Sequence, residues 1–422
     1  MRYSVAQTVE TGQQPRAVAL ADINSDGHID AVVANSVVNT LSLLLGNRPG
    51  TLAAQTSKAI SLSSSARAGA LGDLNADGRT DLAVALADHS LHVFYQTGEG
   101  HVPQAPNETT PTEKYPTAAV IGDLNGDGLN DLAVANFGAG VVSIYYQESN
   151  RGLLEAPPRV LRTSTILPTP QEVTTDARGD SLDIADMTGD GREDLVAVSF
   201  KTGIVLVFAQ GEDRRLMEEL RLVIPTGAGP RALAVLDFDL DGRNDVAVAE
   251  SLTGSLRVFW QQAAGQFDGT RSQTLRVDDL PFGLTAGDLD TDGRPDLVVS
   301  SGPGGLTTGS VIYQDQDGNF SSSRKQTLTL DNTSFGVLAT DLNADGRDDV
   351  IVALRDPEVD LFFQDAFGGI GIRSGEVSYP QQKFNTGAVP NAVIAGDVNG
   401  DGRRDLVVLV KSTQTILIYL SR

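Results

Sequence analysis

The chain has 422 residues, 40% of them hydrophobic, which is ample for a packed interior, and it carries a formal charge of −23 and no cysteine. The acidity argues against nucleic acid and anionic membrane as partners, because either needs a basic face; the missing thiols exclude disulfides, thiolate metal sites and cysteine catalysis. No apolar stretch approaches the roughly 20 residues that span a bilayer, so no membrane insertion is expected, and "MRYSVAQTVE" has neither the basic start nor the apolar core of a signal peptide.

Along the chain, the first predicted element is a strand within residues 1–12, "RYSVAQTVETG", which has no unit of its own. A nonapeptide then recurs eight times, as "DINSDGHID", "DLNADGRTD", "DLNGDGLND", "DMTGDGRED", "DFDLDGRND", "DLDTDGRPD", "DLNADGRDD" and "DVNGDGRRD". The copies begin at Asp22, Asp73, Asp123, Asp186, Asp237, Asp288, Asp341 and Asp397, so they lie 51, 50, 63, 51, 51, 53 and 56 residues apart, a blade-sized period. Each unit has a small apolar run before the nonapeptide and a Val/Ala/Leu run after it, such as "DAVVAN" or "DVAVAE". A third segment such as "LHVFYQ" or "LRVFWQ" and a more polar fourth such as "SQTLRVD" follow. All are strand-length, rich in β-branched and aromatic residues, and bounded by Gly, Asn, Asp and Pro.

Four strands in each of eight units predict an all-β fold, an eight-bladed β-propeller of four-stranded antiparallel blades forming one domain over residues 1–422. The last unit stops after "TQTILIYLSR", where the third strand of the other units falls. The N-terminal strand is therefore expected to complete blade eight, closing the ring by pairing of the N- and C-terminal strands and leaving no open edge.

The nonapeptide reads D-x-[DNT]-x-D-G-x-x-D, with oxygen side chains at positions one, three, five and nine and glycine at six. Such a loop suits a hard cation: alternate side chains project inward, and the glycine takes a backbone conformation that other residues disfavour. The predicted side-chain ligands are Asp22, Asn24, Asp26 and Asp30; Asp73, Asn75, Asp77 and Asp81; Asp123, Asn125, Asp127 and Asp131; Asp186, Thr188, Asp190 and Asp194; Asp237, Asp239, Asp241 and Asp245; Asp288, Asp290, Asp292 and Asp296; Asp341, Asn343, Asp345 and Asp349; and Asp397, Asn399, Asp401 and Asp405. Position seven, held by His28, Arg79, Leu129, Arg192, Arg243, Arg294, Arg347 and Arg403, is expected to offer only its backbone carbonyl. An all-oxygen, carboxylate-rich set points to Ca²⁺, up to eight ions, rather than Zn²⁺, with Mg²⁺ the weaker alternative.

Asp, Asn and Gly also make good turns without any metal. Eight copies that keep the four oxygen positions while positions two, four, seven and eight drift weigh against that simpler account. Eight divalent ions would take the formal charge from −23 to −7. Counting carboxylates ranks the loops at Asp237 and Asp288, with Asp239 and Asp290 at position three, as the tightest, and the Thr188 loop as the weakest.

These residues resemble the FG-GAP or VCBS repeat, found in integrin α-subunit propellers, secreted bacterial proteins and a fungal propeller lectin. "PFGLTAGDLDTDGRPD" and "SFGVLATDLNADGRDD" retain the Phe-Gly of the family's name, and the resemblance covers essentially the whole chain. It implies calcium in the loops joining first and second strands, ligand docking on the opposite face, and a location outside the cell or at its surface. Eight units instead of the usual seven depart from the family's pattern.

The residues that open the eight inner strands, Arg16, Arg67, Thr117, Asp180, Arg231, Phe282, Phe335 and Asn391, are expected to ring the channel mouth on that opposite face. Arg16, Arg67 and Arg231 are candidates for an anionic or sugar ligand, with packing against neighbouring blades as the simpler role. Asp180 closes Arg178-Gly179-Asp180, a tripeptide that integrins read and that chance also produces. The third strand repeatedly ends in aromatic-Gln, as in Tyr95-Gln96 and Trp260-Gln261, a pairing that holds sugars in lectins and more often packs between blades. His28, His89, His92 and His101 cluster early without a nucleophile motif. The expected function is a calcium-stabilised binding module for a glycan or protein; the alternatives are a polysaccharide lyase or hydrolase and a ligand-free scaffold.

Overall fold

The computed structural model describes residues 3–47, 51–54, 59–97, 102–136, 138–148, 152–153, 158–162, 182–200, 202–211, 214–216, 222–263, 265–267, 269–277, 280–302 and 304–421. Among these residues there is no helix, and the strands form eight sheets. The Val/Ala/Leu runs become the second strands, and seven of the eight (Asp81–Leu86, Asp131–Asn136, Asp194–Ser199, Asp245–Glu250, Asp296–Ser301, Asp349–Leu354 and Asp405–Val410) are buried at every position. Continuous burial explains why these segments are apolar without alternation: each has a blade on either side. The inner strands, such as Pro15–Ala21 and Ala66–Gly72, are half-exposed along the channel wall, and small residues there let neighbouring blades approach.

The four main strands of blades 1 to 7 follow chain order and pair antiparallel, and blade 1 adds a short fifth, Ile60–Ser61, on its third strand Thr40–Asn47. Blade 8 combines Pro390–Gly396, Asp405–Val410 and Thr415–Ser421 with the N-terminal strand Tyr3–Glu10, which pairs antiparallel with Thr415–Ser421. The expected closure is thus present. Apolar clusters sit between blades: Val9, Val407 and Ile418 of blade 8 pack with Val33, Leu44 and Leu52 of blade 1.

Glutamine side chains clasp several outer strands together. Gln7 Nε2 donates to the Leu52 carbonyl at 2.7 Å while Gln7 Oε1 accepts the Leu52 N–H at 2.8 Å, joining blades 8 and 1. Gln382 exchanges the same pair of bonds with Tyr3, and Gln273 with Phe320. Each clasp satisfies one N–H and one C=O on a strand edge that would otherwise face solvent. Blade 6 gains a further cover, a hairpin of Ile372–Ser374 and Val377–Tyr379 from the next unit, whose second strand pairs parallel with Phe320–Thr329.

Candidate metal centre

Each nonapeptide lies between an inner and a second strand, so all eight loops occupy one face. Position one organises the turn: its carboxylate accepts the N–H of position five at 3.0–3.2 Å and of position six at 2.7–2.9 Å in every loop. The position-six glycines have φ between 79° and 86°. An added Cβ at Gly27, Gly78 or Gly242 would meet nothing within 4 Å, so backbone conformation and not space requires glycine. Position four is also left-handed, at Ser25, Ala76, Leu240, Thr291 and Ala344 among others. Drift in residue type had hidden that constraint, and β-branched Thr291 at φ 63° is a strained member.

Position nine opens the second strand and is buried. Asp30, Asp81, Asp131, Asp194, Asp245, Asp296, Asp349 and Asp405 are at most 1% exposed. Each accepts the N–H of position two at 2.9–3.1 Å and an N–H from the end of its blade's third strand at 2.6–3.2 Å. Burial pushes these carboxyls up, to about 6 at Asp30, Asp81, Asp194 and Asp405, about 7 at Asp245 and Asp349, and about 8 at Asp131 and Asp296. Loop carboxylates at other positions add to the rise, and the two backbone N–H groups oppose it only in part.

Position three tests whether the loop fits a cation. Asn24, Asn75, Asn125 and Asn399 turn Oδ1 to the N–H of position five at 2.8–3.0 Å. At Asp239, Asp290 and Asn343, however, Oδ1 is buried with no hydrogen-bond partner. A buried oxygen left without a donor is costly, and a hard cation would satisfy it. Oxygens of Asp237, Asp239 and Asp241, and of Asp288, Asp290 and Asp296, lie within 4.8 Å of one another. The residues present therefore fit a hard, oxygen-seeking cation.

Two features were not foreseen. Position seven is not indifferent, because Arg79 and Arg294 pair with the position-five carboxylates Asp77 and Asp292 at 2.5 Å, and Arg192, Arg243 and Arg347 pair likewise with Asp190, Asp241 and Asp345. Where position three is aspartate, an outer arginine meets it: Arg271 reaches Asp239 at 2.6 Å and Arg324 reaches Asp290 at 2.7 Å. Nothing in the nonapeptide itself announces those two arginines.

The aromatic-Gln pairs resolve into structural parts. Gln96 donates its backbone N–H to Asp81 and its side-chain Nε2 to the Ile23 carbonyl in the previous blade's loop, at 2.8 and 2.7 Å. Gln314 does the same with Asp296 and Phe238, and Gln261 with Asp245 and Met187. Trp260 is 2% exposed, and the Tyr95 hydroxyl accepts the Leu153 N–H, so neither ring is presented to a ligand. Tyr3 takes the corresponding place at the closure, its hydroxyl 2.8 Å from the carbonyls of Leu342 and Arg404.

Of the channel-mouth candidates, Arg16 and Arg67 line one cleft between blades 1 and 2. Arg231 instead lies over the Phe282 ring, 4.2 Å from its centroid. Asn391 accepts the Lys411 N–H at 2.9 Å, a structural role. Asp180 and its tripeptide lie outside the described residues.

Sequence comparison agrees with this geometry. The FG-GAP-like repeat family matches residues 22–84, 73–134, 123–197 and 202–299, together more than half of the chain. The chain belongs to the FG-GAP repeat family. This FG-GAP chain is similar to phosphatidylinositol-glycan-specific phospholipase D of Bos taurus, 34% identical over 116 residues, 24% of this chain and 14% of that protein. It is also similar to human integrin alpha-IIb, 31% identical over 159 residues, 29% of this chain and 14% of the integrin. The chain thus spans only a small part of the length of these relatives. In fold, it is similar to BBS1N crystallised in complex with ARL6DN, with a TM-score of 0.52, 16% identity, and coverage of 83% of this chain and 91% of that one. A protein from Lactobacillus plantarum gives a TM-score of 0.50 at 17% identity, covering 87% of this chain and 97% of that one.

Proposed function

We propose that this FG-GAP propeller is a calcium-stabilised recognition module acting outside the cell or at its surface, with a protein or glycan as its ligand. The observation that carries the reading is the division of labour between two faces. The loop face is mainly acidic, with its carboxylates largely engaged by backbone N–H groups and arginines, and Leu240 and Phe367 are among its exposed apolar side chains. On the other face, the turns and links between strands leave Val37, Val38, Tyr115, Leu252 and Leu306 exposed by 42 to 64%. Exposed apolar side chains at these turns offer area that a docking protein could bury, and the integrin relative supports a protein as that partner.

In this reading the side chains at positions one, three, five and nine hold Ca²⁺ with the position-seven carbonyl, and Arg231 belongs to the binding face. The ion supplies charge neutralisation, so that binding contributes directly to folding. The protein's own part is to hold position nine through two backbone N–H groups and to link successive loops through the glutamines.

The test is a glycan array and an extracellular-protein panel probed with calcium-loaded protein. Saturable binding without product release, lost in a Tyr115→Ser, Leu252→Ser, Leu306→Ser variant that melts at the wild-type temperature, is expected. Release of a cleaved product would replace the module with a polysaccharide-acting enzyme, and unchanged binding by the variant would remove the apolar turns from the interface.

A further inference from the structure

Blades 1 and 2 meet differently from blades 5 and 6. At the 5/6 contact the guanidinium of Arg231 is covered by the Phe282 ring, which fills the space at the start of the inner strands. At the equivalent 1/2 contact both positions are arginine, Arg16 and Arg67, and the residues that follow are small: Ala17, Val18 and Ala19 on one strand, Ala68, Gly69 and Ala70 on the other. No ring closes the gap. What remains is a cleft of about 110 Å³, walled by these small residues with Val32, Leu41, Leu82 and Val84 and lined by both arginines.

We propose that this cleft is a binding site for a small organic carboxylate whose apolar body is the size of one ring. Three observations support that class. First, two arginines line one small cleft, and arginine is the side chain whose geometry best matches a carboxylate. Second, Arg67 Nε is buried without a hydrogen-bond partner, a donor that a carboxylate oxygen would satisfy. Third, the walls are aliphatic, and a dry cavity of roughly 150 Å³ is known to admit benzene, so the volume suits a ring or short branched chain better than an extended one. Inorganic phosphate would meet the guanidinium groups and leave the apolar walls unused. The planar fork of arginine also matches a carboxylate in two parallel hydrogen bonds.

The site deepens the recognition reading by naming a ligand class at one edge of the same face, and it is tested separately from the exposed turns. The experiment is calorimetric and saturation-transfer titration of calcium-loaded protein with benzoate, benzamide and inorganic phosphate. Benzoate is expected to bind saturably, with benzamide and phosphate each at least about tenfold weaker because each lacks one of the two complementary parts. An Arg16→Met, Arg67→Met double variant is expected to weaken benzoate by about tenfold or more, and Ala68→Leu, which fills the cleft, to abolish it, with macromolecular binding through Tyr115, Leu252 and Leu306 retained. Melting temperatures in calcium establish that both variants are folded; if Ala68→Leu is not, the arginine variant decides. Absence of benzoate binding at about 10 mM, benzamide or phosphate binding as tightly as benzoate, or full binding by a folded variant would overturn the assignment.

Discussion

The loops beginning at Asp237 and Asp288 carry a carboxylate at position three where the loops of blades 1, 2, 3, 7 and 8 carry an amide, and each has an arginine on that carboxylate: Arg271 on Asp239, Arg324 on Asp290. The added negative charge therefore comes with a matching positive one from the same blade. Carboxylate count alone ranks these two loops as the tightest for calcium; with the guanidinium included, much of the advantage is offset. The comparison teaches that the charge around each nonapeptide loop is set by the blade, and the nine residues report only part of it.

The largest effect tests what the eight loops share. Chelation is expected to lower the melting temperature by on the order of 10 °C or more, since each site filled at a hundredfold excess over its Kd contributes about 2.7 kcal/mol. Calcium should restore it better than magnesium; a melting curve indifferent to both would remove metal from the account.

The next effect is pH dependence of the metal-free protein. The eight position-nine carboxyls sit at about 6 to 8 in the folded chain against 3.8 unfolded, so folding favours their protonated form. That contribution is present in full below pH 3.8 and is lost as pH rises through 6 to 8. Melting in chelator should consequently fall between pH 5 and pH 8, and the rise produced by calcium should grow over the same window, because the ion takes the ionised form. A calcium response equal at both ends of the window would contradict this. Asp360, also buried and raised to about 7, shares the trend without belonging to any loop.

A smaller change separates the two loop classes. Arg271→Met or Arg324→Met should destabilise the metal-free chain by about 1 kcal/mol, and should tighten calcium at that loop by about tenfold as an unmatched carboxylate is exposed to the ion. Isothermal titration resolves the two directions, and weaker calcium binding in both variants would mean that the arginines support the ion instead of competing with it.

The smallest expected effect concerns the links between loops. Gln314→Leu should cost about 1 kcal/mol by removing the bond to Phe238, whereas Gln147→Leu should be close to neutral, because both amide atoms of Gln147 are buried without partners. In blade 3 the reach to the previous loop is made by Asn130, whose Nδ2 donates to the Asp73 carbonyl at 3.2 Å. Equal losses in the two glutamine variants, measured by chemical denaturation, would show that contact with the previous loop is not what matters.

Much of the architecture is legible in the sequence. The period, the four strand-length runs and the unit that lacked a fourth strand led to eight blades and to Tyr3–Glu10 beside Thr415–Ser421. Less of the site could be read this way. Position four is left-handed in loops where it is Ser, Ala, Leu or Thr, so residue type carried no signal of the backbone requirement. The glutamine at the end of the third strand was visible as a repeat, yet its partner lies in another blade, 76 residues away for Gln314 and Phe238.

What the chain determined alone is whatever depends on local spacing: turns that aspartate and glycine close by themselves, strands whose apolar runs need two covered faces, and a repeat that has to stack to bury them. What the tertiary structure decided is which charges and gaps meet across blades. Arg271 on Asp239, Arg231 on Phe282, and Arg16 beside Arg67 over a cleft all depend on side chains brought together only when the ring closes. Electrostatic and packing energies depend on distance in space, and a linear repeat fixes only distance along the chain.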